Sequence, residues 1–123
     1  MKEVPRDISE ALSRRIPEEL EGKAREAGLS WRFVRVSRDP EVWVYLGESG
    51  DYIVIPGLYC SCPRFQLSLG SGPPYGCHHV YGLRVAVAEG RYREVEGLDL
   101  AQVVHEVFTM GRAVSVRRII FTG

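Results

Sequence analysis

The sequence predicts an α+β protein: a small antiparallel sheet of about three to four strands, with helices at both ends of the chain. Between residues 31 and 57, short β-branched and aromatic runs alternate with Pro and Gly, which is typical of strands joined by tight turns. On either side, apolar residues recur every three or four positions, as on a helix with one buried face. A length of 123 residues fits a single domain, residues 1–123.

Residues 1–28 predict an N-terminal helical arm. Asp7 and Glu10 have the spacing of a helix N-cap and its reciprocal partner. A second helix is predicted from Pro17, which suits a first turn, to Gly28, a typical stop. Its apolar stripe consists of Leu20, Ala24 and Ala27. Because this stripe is thin, we expect the arm to lie on the surface of the domain.

Three strands are predicted at residues 31–38, 42–46 and 52–57, joined by the turn-like sequences DPE and GESGD. The second run, VWVYL, is apolar on both faces, which predicts a central position in the sheet. Trp31 and Trp43 are expected in the core of the sheet.

After the strands, a helix is predicted from about Cys77 to Gly90, with Val80, Leu83 and Val87 facing inward.

Residues 91–123 predict a further helix and a strand. The helix ends at Gly111, and His105 falls on its polar face. Its expected apolar face consists of Leu100, Val103, Val104, Val107 and Phe108. The last apolar run, AVSVRRIIF, has the composition of a strand.

The overall composition is that of a soluble globular protein. Sixteen basic residues balance 16 acidic ones, so there is no global attraction to nucleic acid or to an anionic membrane. No run approaches the roughly 18 apolar residues of a membrane span, and the first residues lack the apolar centre of a signal peptide. These features predict a cytoplasmic protein without a membrane partner.

Residues 60–79 hold all three cysteines and two of the three histidines. Cys60 and Cys62 follow a predicted strand, and Cys77 and His79 open a predicted helix. Three sulfurs and one nitrogen make the four ligands of a tetrahedral structural zinc site, which would tie the sheet to the helix. The 14 intervening residues, PRFQLSLGSGPPYG, predict a loop without regular structure. His78 competes with His79 for the fourth ligand position.

Three other interpretations of the cysteines stay open. They could be buried thiols, or two of them could form a disulfide that leaves one unpaired. Cys77 could be a nucleophile with His79 as its base, but residues so close at a helix start do not face each other. A zinc ion with four protein ligands leaves no place for water or substrate, so we expect a protein that is not an enzyme and has no small-molecule substrate.

The pattern resembles the SWIM zinc-finger family. The matching residues are Cys60-Ser61-Cys62-Pro63, Phe65 and Cys77-His78-His79, after a hairpin rich in Trp, Val and Tyr. The resemblance covers residues 31–90 and implies a ββα finger with one structural zinc ion. It implies Cys60, Cys62, Cys77 and His79 as the zinc ligands.

As a small stand-alone protein with one such finger, the chain resembles the SWIM subunit of the Shu complex. That resemblance implies an adaptor that partners a RecA-type recombinase paralogue, an ATPase, in DNA recombination and repair. The subunit has an alanine three residues after the ligand histidine, where this chain has Gly82.

The alternative function is that of a zinc-dependent DNA- or RNA-binding protein. Candidate contacts with a protein partner or a nucleic acid are Arg64, Phe65, Arg84, Arg91 and Arg93. Arg112, Arg117 and Arg118 are further candidates for contacts with nucleic-acid phosphates, and aromatic side chains would stack on single-stranded bases. Further aromatic anchors for a partner are Tyr59, Tyr75 and Tyr81.

Overall fold

The computed structural model describes residues 15–71 and 76–122 and confirms the α+β class. Within these residues the helices are α1 (Glu18–Gly28), α2 (Pro63–Ser71), α3 (His78–Glu89), α4 (Leu100–Met110) and α5 (Val114–Thr122). The strands are β1 (Phe33–Arg38), β2 (Glu41–Leu46), β3 (Asp51–Ile55), β4 (Tyr59–Cys60) and β5 (Arg93–Glu94). The helix predicted at Asp7 lies outside the described residues.

The sheet has the strand order β4-β3-β2-β1-β5. Strands β1 to β4 pair antiparallel in sequence order, and β2 is central, as predicted. The sheet differs from the prediction at its edge, where β5 pairs parallel to β1 through Val34 and Arg93. The sheet is therefore mixed and five-stranded. The edge strands β4 and β5 are two residues long, too short to show a period-two pattern in the sequence.

Each face of the sheet carries its own apolar core, because side chains alternate along each strand. The first core packs Phe33, Trp43 and Val54 against α1 and α3. The second packs the opposite face against α4 and α5, with Val34 and Val44 among its fully buried side chains. Trp43 is thus in the core as predicted.

Helix α1 lies deeper than predicted. The side chains of Leu20, Ala24 and Ala27 are buried against α3, so the thin stripe is a core element and not a surface one. The reason is close approach: a Cβ on Gly82 would lie 2.9 Å from the Ala24 carbonyl oxygen. Small residues bring the two helix backbones together, which compensates for their limited apolar area.

Helix α4 forms as predicted. The Asp99 carboxylate caps it by accepting a hydrogen bond from the Ala101 N–H at 3.0 Å, and Gly111 ends it at a φ of 73°. His105 is exposed, as expected.

Two helical residues predicted to face the core are exposed instead. Phe108 is 57% exposed, and Val87 of α3 is 50% exposed.

The predicted C-terminal strand is helix α5. Ala113 and Val116 are fully buried, and Ile120 packs partly against the same core. The spacing i, i+3, i+7 is helical, but the β-branched composition concealed it. Among the described residues, no helix combines the length and apolarity needed to cross a bilayer.

Candidate metal centre

Three consecutive elements bring the predicted ligands together. Cys60 ends β4, opposite Val54 on β3. Cys62 precedes the first residue of α2, and Cys77 is the N-cap of α3. His79 lies in the first turn of α3. All four ligand residues are buried, with exposures of 0% to 6%.

The ligand atoms of Cys60, Cys62, Cys77 and His79 lie within 4.8 Å of one another. The Nδ1 atom of His79 is 3.9 Å from the Sγ atoms of both Cys60 and Cys77. Ligands of a tetrahedral zinc site, at about 2.0–2.3 Å from the metal, lie about 3.4–3.8 Å apart. The cluster therefore has the dimensions and the donor atoms to hold one metal ion.

The electrostatics of the thiols also fit a cation. Burial raises the pKa of Cys60, whereas hydrogen bonds from the Cys60 and Cys77 thiols lower the pKa of Cys62. Three buried thiols in contact cannot all ionise by themselves, because each thiolate disfavours the next. A metal ion bound between them would offset this repulsion, because it would bind all three as thiolates.

The structure distinguishes the two neighbouring histidines. Nδ1 of His79 faces the cysteines, and its ring lies between Tyr45 and Tyr52, with centroids 4.4 and 5.1 Å away. The ring of His78 lies against that of His79, with centroids 4.1 Å apart and planes tilted by 39°, but His78 does not belong to the ligand cluster. His79 is therefore the fourth candidate ligand.

Helix α2 lies where the sequence predicted a loop. Its buried residues Phe65 and Ser68 are one turn apart. The Ser68 hydroxyl donates to the Phe65 carbonyl at 2.7 Å and accepts from the Gly76 N–H at 2.9 Å. This bond holds the end of the segment next to Cys77. The spacing of Phe65 and Ser68 was the available signal, but the surrounding Pro and Gly residues obscured it.

The candidate contact residues separate into two groups. Phe65 is 2% exposed and forms part of the core beside Tyr59, so its predicted role as a partner contact is wrong for this conformation. Tyr81, at 1% exposure, is buried in the same core. Tyr75 lies outside the described residues. The arginines are exposed on different elements: Arg64 on α2, Arg84 on α3, Arg91 after α3 and Arg93 on β5.

A cavity of about 700 Å³ borders the centre. Its walls include the ring of His79 together with Tyr45, Tyr52 and His78. The cysteines do not line it, so their sulfur atoms face the protein interior.

Comparison of the chain with protein-family models, with curated proteins and with solved structures found no match in any of the three. The interpretation of this centre therefore depends on its own residues and geometry.

Proposed function

We propose that the chain is a non-enzymatic, SWIM-type zinc-binding protein. One structural zinc ion, bound by Cys60, Cys62, Cys77 and His79, would fasten the end of β4 to the start of α3. The observation that carries this proposal is the convergence of four buried soft donor atoms within 4.8 Å. Thiolate and imidazole ligands favour zinc over magnesium and calcium, which prefer oxygen.

The same geometry supports a structural metal and not a catalytic one. Four protein ligands complete a tetrahedral shell, and a catalytic zinc would need one position open to water. The burial of all four residues also separates the metal from solvent. Structural zinc contributes about 10 kcal/mol or more to folding, which is comparable to the whole stability of a small domain.

For the biological role, we propose an adaptor that binds a RecA-type recombinase paralogue in DNA recombination and repair. One support is the resemblance of the ligand motif. Another is a set of exposed apolar side chains in the segments before and after Cys60 and Cys62, namely Leu58, Leu67 and Leu69, which are 47%, 69% and 44% exposed. Leu58 precedes β4, and the two others lie on α2. Exposed apolar side chains such as these could each contact a protein partner.

The proposal is tested in two steps. First, the metal content of the purified chain is measured, and one zinc ion per chain is expected. Second, the zinc-loaded protein is used to purify partners from its native extract with nuclease present. Stoichiometric recovery of a RecA-type ATPase, lost in Leu67→Asp but kept in the equally exposed α4 variant Phe108→Asp, would support the adaptor. Zinc without such an ATPase would leave the metal site in place and refute the adaptor role.

Direct nucleic-acid binding is a second candidate. A separate observation favours it: a groove lined by arginines where the β2–β3 turn meets α5.

A further inference from the structure

A groove of about 510 Å³ lies where residues before β1, the β2–β3 turn and α5 meet. None of the candidate metal ligands lines it, but it adjoins the cavity beside His79, with which it shares Ser30, Arg32, Gly47 and Glu48. Two partly exposed aromatic rings line it, Trp31 at 43% and Phe121 at 64% exposure. Its charged lining residues are Arg32, Arg93, Arg112, Arg117 and Glu48. The groove therefore combines stacking surfaces with an excess of positive charge.

Trp31 has a backbone conformation that requires an explanation. Its φ is +64°, the left-handed region that a bulky side chain rarely adopts and that costs about 1–2 kcal/mol. The Arg93 guanidinium holds it there: Nη1 donates to the Trp31 carbonyl at 2.8 Å, and Cζ lies 5.9 Å from the ring centroid. The indole is exposed as a result, which overturns its predicted place in the sheet core. Strain that persists at an exposed aromatic residue is typical of functional positions.

The arginines of the groove are fixed before any ligand arrives. Arg112 and Arg117 donate to the Gly47 carbonyl at 2.9 and 2.8 Å, and both pair with Asp51. Their side chains nevertheless keep 36% and 28% of their surface exposed. A ligand would not have to order these guanidinium groups, so less entropy would be lost on binding.

The charge balance favours an anionic ligand. Four arginines line the groove, and the carboxylates that contact them are Asp51, which is buried, and Glu48, which is 89% exposed. Counting both carboxylates, the excess is four minus two, or two positive charges. The guanidinium of Arg117 also lies 5.7 Å from the Phe121 ring centroid, so charge and aromatic surface occur together.

We propose that this groove binds single-stranded nucleic acid. Bases would stack on Trp31 and Phe121, and backbone phosphates would pair with the four arginines that line the groove. A stacking platform beside fixed cations is the usual arrangement for single strands. An acidic peptide would use the arginines but leave the two rings without a partner. This proposal does not depend on the adaptor role or on the identity of the metal.

Of the arginines predicted from sequence as nucleic-acid contacts, Arg93, Arg112 and Arg117 line this groove.

The test uses the full, zinc-loaded chain and a fluorescein-labelled oligothymidylate of about 20 nucleotides. Binding is followed by anisotropy and by quenching of tryptophan fluorescence. Because Trp43 is fully buried and Trp31 is not, quenching by stacked bases reports on Trp31. Affinity should fall with rising salt, since phosphate contacts release counterions. Trp31→Gly is the informative variant, because glycine accepts a φ of +64° without strain.

We expect Trp31→Gly and Phe121→Ala each to weaken oligothymidylate binding about 10-fold or more. Phe108→Ala, at an equally exposed aromatic residue on α4, and Arg25→Gln on α1 should bind like the original chain. Phe121 is near the C-terminal end of α5, so its variant remains a valid test if Trp31→Gly folds poorly by circular dichroism. Unchanged affinity in both groove variants would overturn the proposal. Equal competition by poly-glutamate would also overturn it and identify an acidic-peptide site.

Discussion

Arg117 and Asp51 form a bidentate ion pair, with Nε 2.7 Å from Oδ2 and Nη2 2.8 Å from Oδ1. The Asp51 carboxylate is buried and also accepts from the N–H groups of Gly47 and Ala113 at 3.1 and 2.8 Å. Arg112 adds a third side-chain contact to the same carboxylate at 3.3 Å. One acidic residue thereby joins the start of β3 to the β2–β3 turn and to the start of α5.

Asp51→Asn should lower the free energy of unfolding by about 2 kcal/mol, because the amide cannot replace the charge-assisted hydrogen bonds at this buried position. Urea denaturation of the zinc-loaded protein measures the change. Glu48→Gln is the control, since Glu48 is 89% exposed and lies 3.7 Å from Arg32. A surface pair of this kind contributes about 1 kcal/mol at most. Equal effects of the two variants would contradict this account of Asp51.

Because of the same carboxylate, we expect the free energy of unfolding to fall at acid pH. Burial raises the pKa of Asp51, but the hydrogen bonds from Arg117 and Ala113 and the charges of Arg117 and Arg112 outweigh it and hold the pKa below its ordinary value. A depressed folded-state pKa stabilises the fold above the unfolded value of about 4. That contribution is lost as the pH falls below about 4. Acid also releases metal, so the informative quantity is the difference between the original chain and Asp51→Asn, which should shrink toward low pH.

Replacing the two adjacent histidines should have opposite outcomes. His79→Ala removes a ligand atom and should weaken zinc binding by more than about 100-fold, since loss of an outer-shell partner alone costs about 10–100-fold. His78→Ala should retain one zinc ion per chain. Competition with a chromogenic chelator measures both affinities. If His78→Ala lost the metal and His79→Ala kept it, the ligand assignment would be reversed.

Gly82→Ala tests the close contact between α1 and α3. The added Cβ would lie 2.9 Å from the Ala24 carbonyl oxygen and 3.1 Å from the Ala27 Cβ, so α1 would have to shift, at a cost of about 1–3 kcal/mol. Gly22→Ala in α1 is the matched control, because a Cβ there meets nothing within 4 Å. It should stabilise the helix by about 0.5–1 kcal/mol. Thermal melting of both variants decides whether the contact is as tight as described.

That contact also gives a physical reason for the glycine at position 82. In this chain the backbone of α1 occupies the space that an alanine methyl group would need.

The candidate metal ligands were predictable because the members of each pair are close together in the sequence. Cys60 and Cys62 lie one residue apart after a strand, and Cys77 and His79 lie one residue apart at a helix start, so the spacing indicated a shared site. The choice of His79 over His78 came from the resemblance to the SWIM family, since the spacing left it open. The central strands were predictable for the same reason, since turn residues and apolar runs bound each of them.

The other features depend on contacts between distant parts of the chain. Asp51 pairs with Arg112 and Arg117, which are 61 and 66 positions later in the sequence. No short-range sequence pattern predicts such pairs. The burial of α1 depends on Gly82, 54 positions after Gly28, and the Trp31 carbonyl accepts a hydrogen bond from Arg93, 62 positions later. Helix α5 was mistaken for a strand because tertiary packing of Val116 outweighed its β-branched composition.

The two cores on opposite faces of the sheet imply two cooperative units that respond differently to loss of the metal. The three candidate cysteine ligands belong to the core of α1 and α3, and His79 lies on α3, whereas the Asp51–Arg117 pair anchors the start of α5 in the other core. Loss of the metal would reach the second core through the strands β1 to β3, which contribute side chains to both cores. Amide protons of α3 should then exchange with deuterium quickly after metal removal, while those of α4 remain protected. Oxidation of the three cysteines, or removal of the metal by a chelator, would loosen the layer of α1 and α3 and leave the layer of α4 and α5 in place.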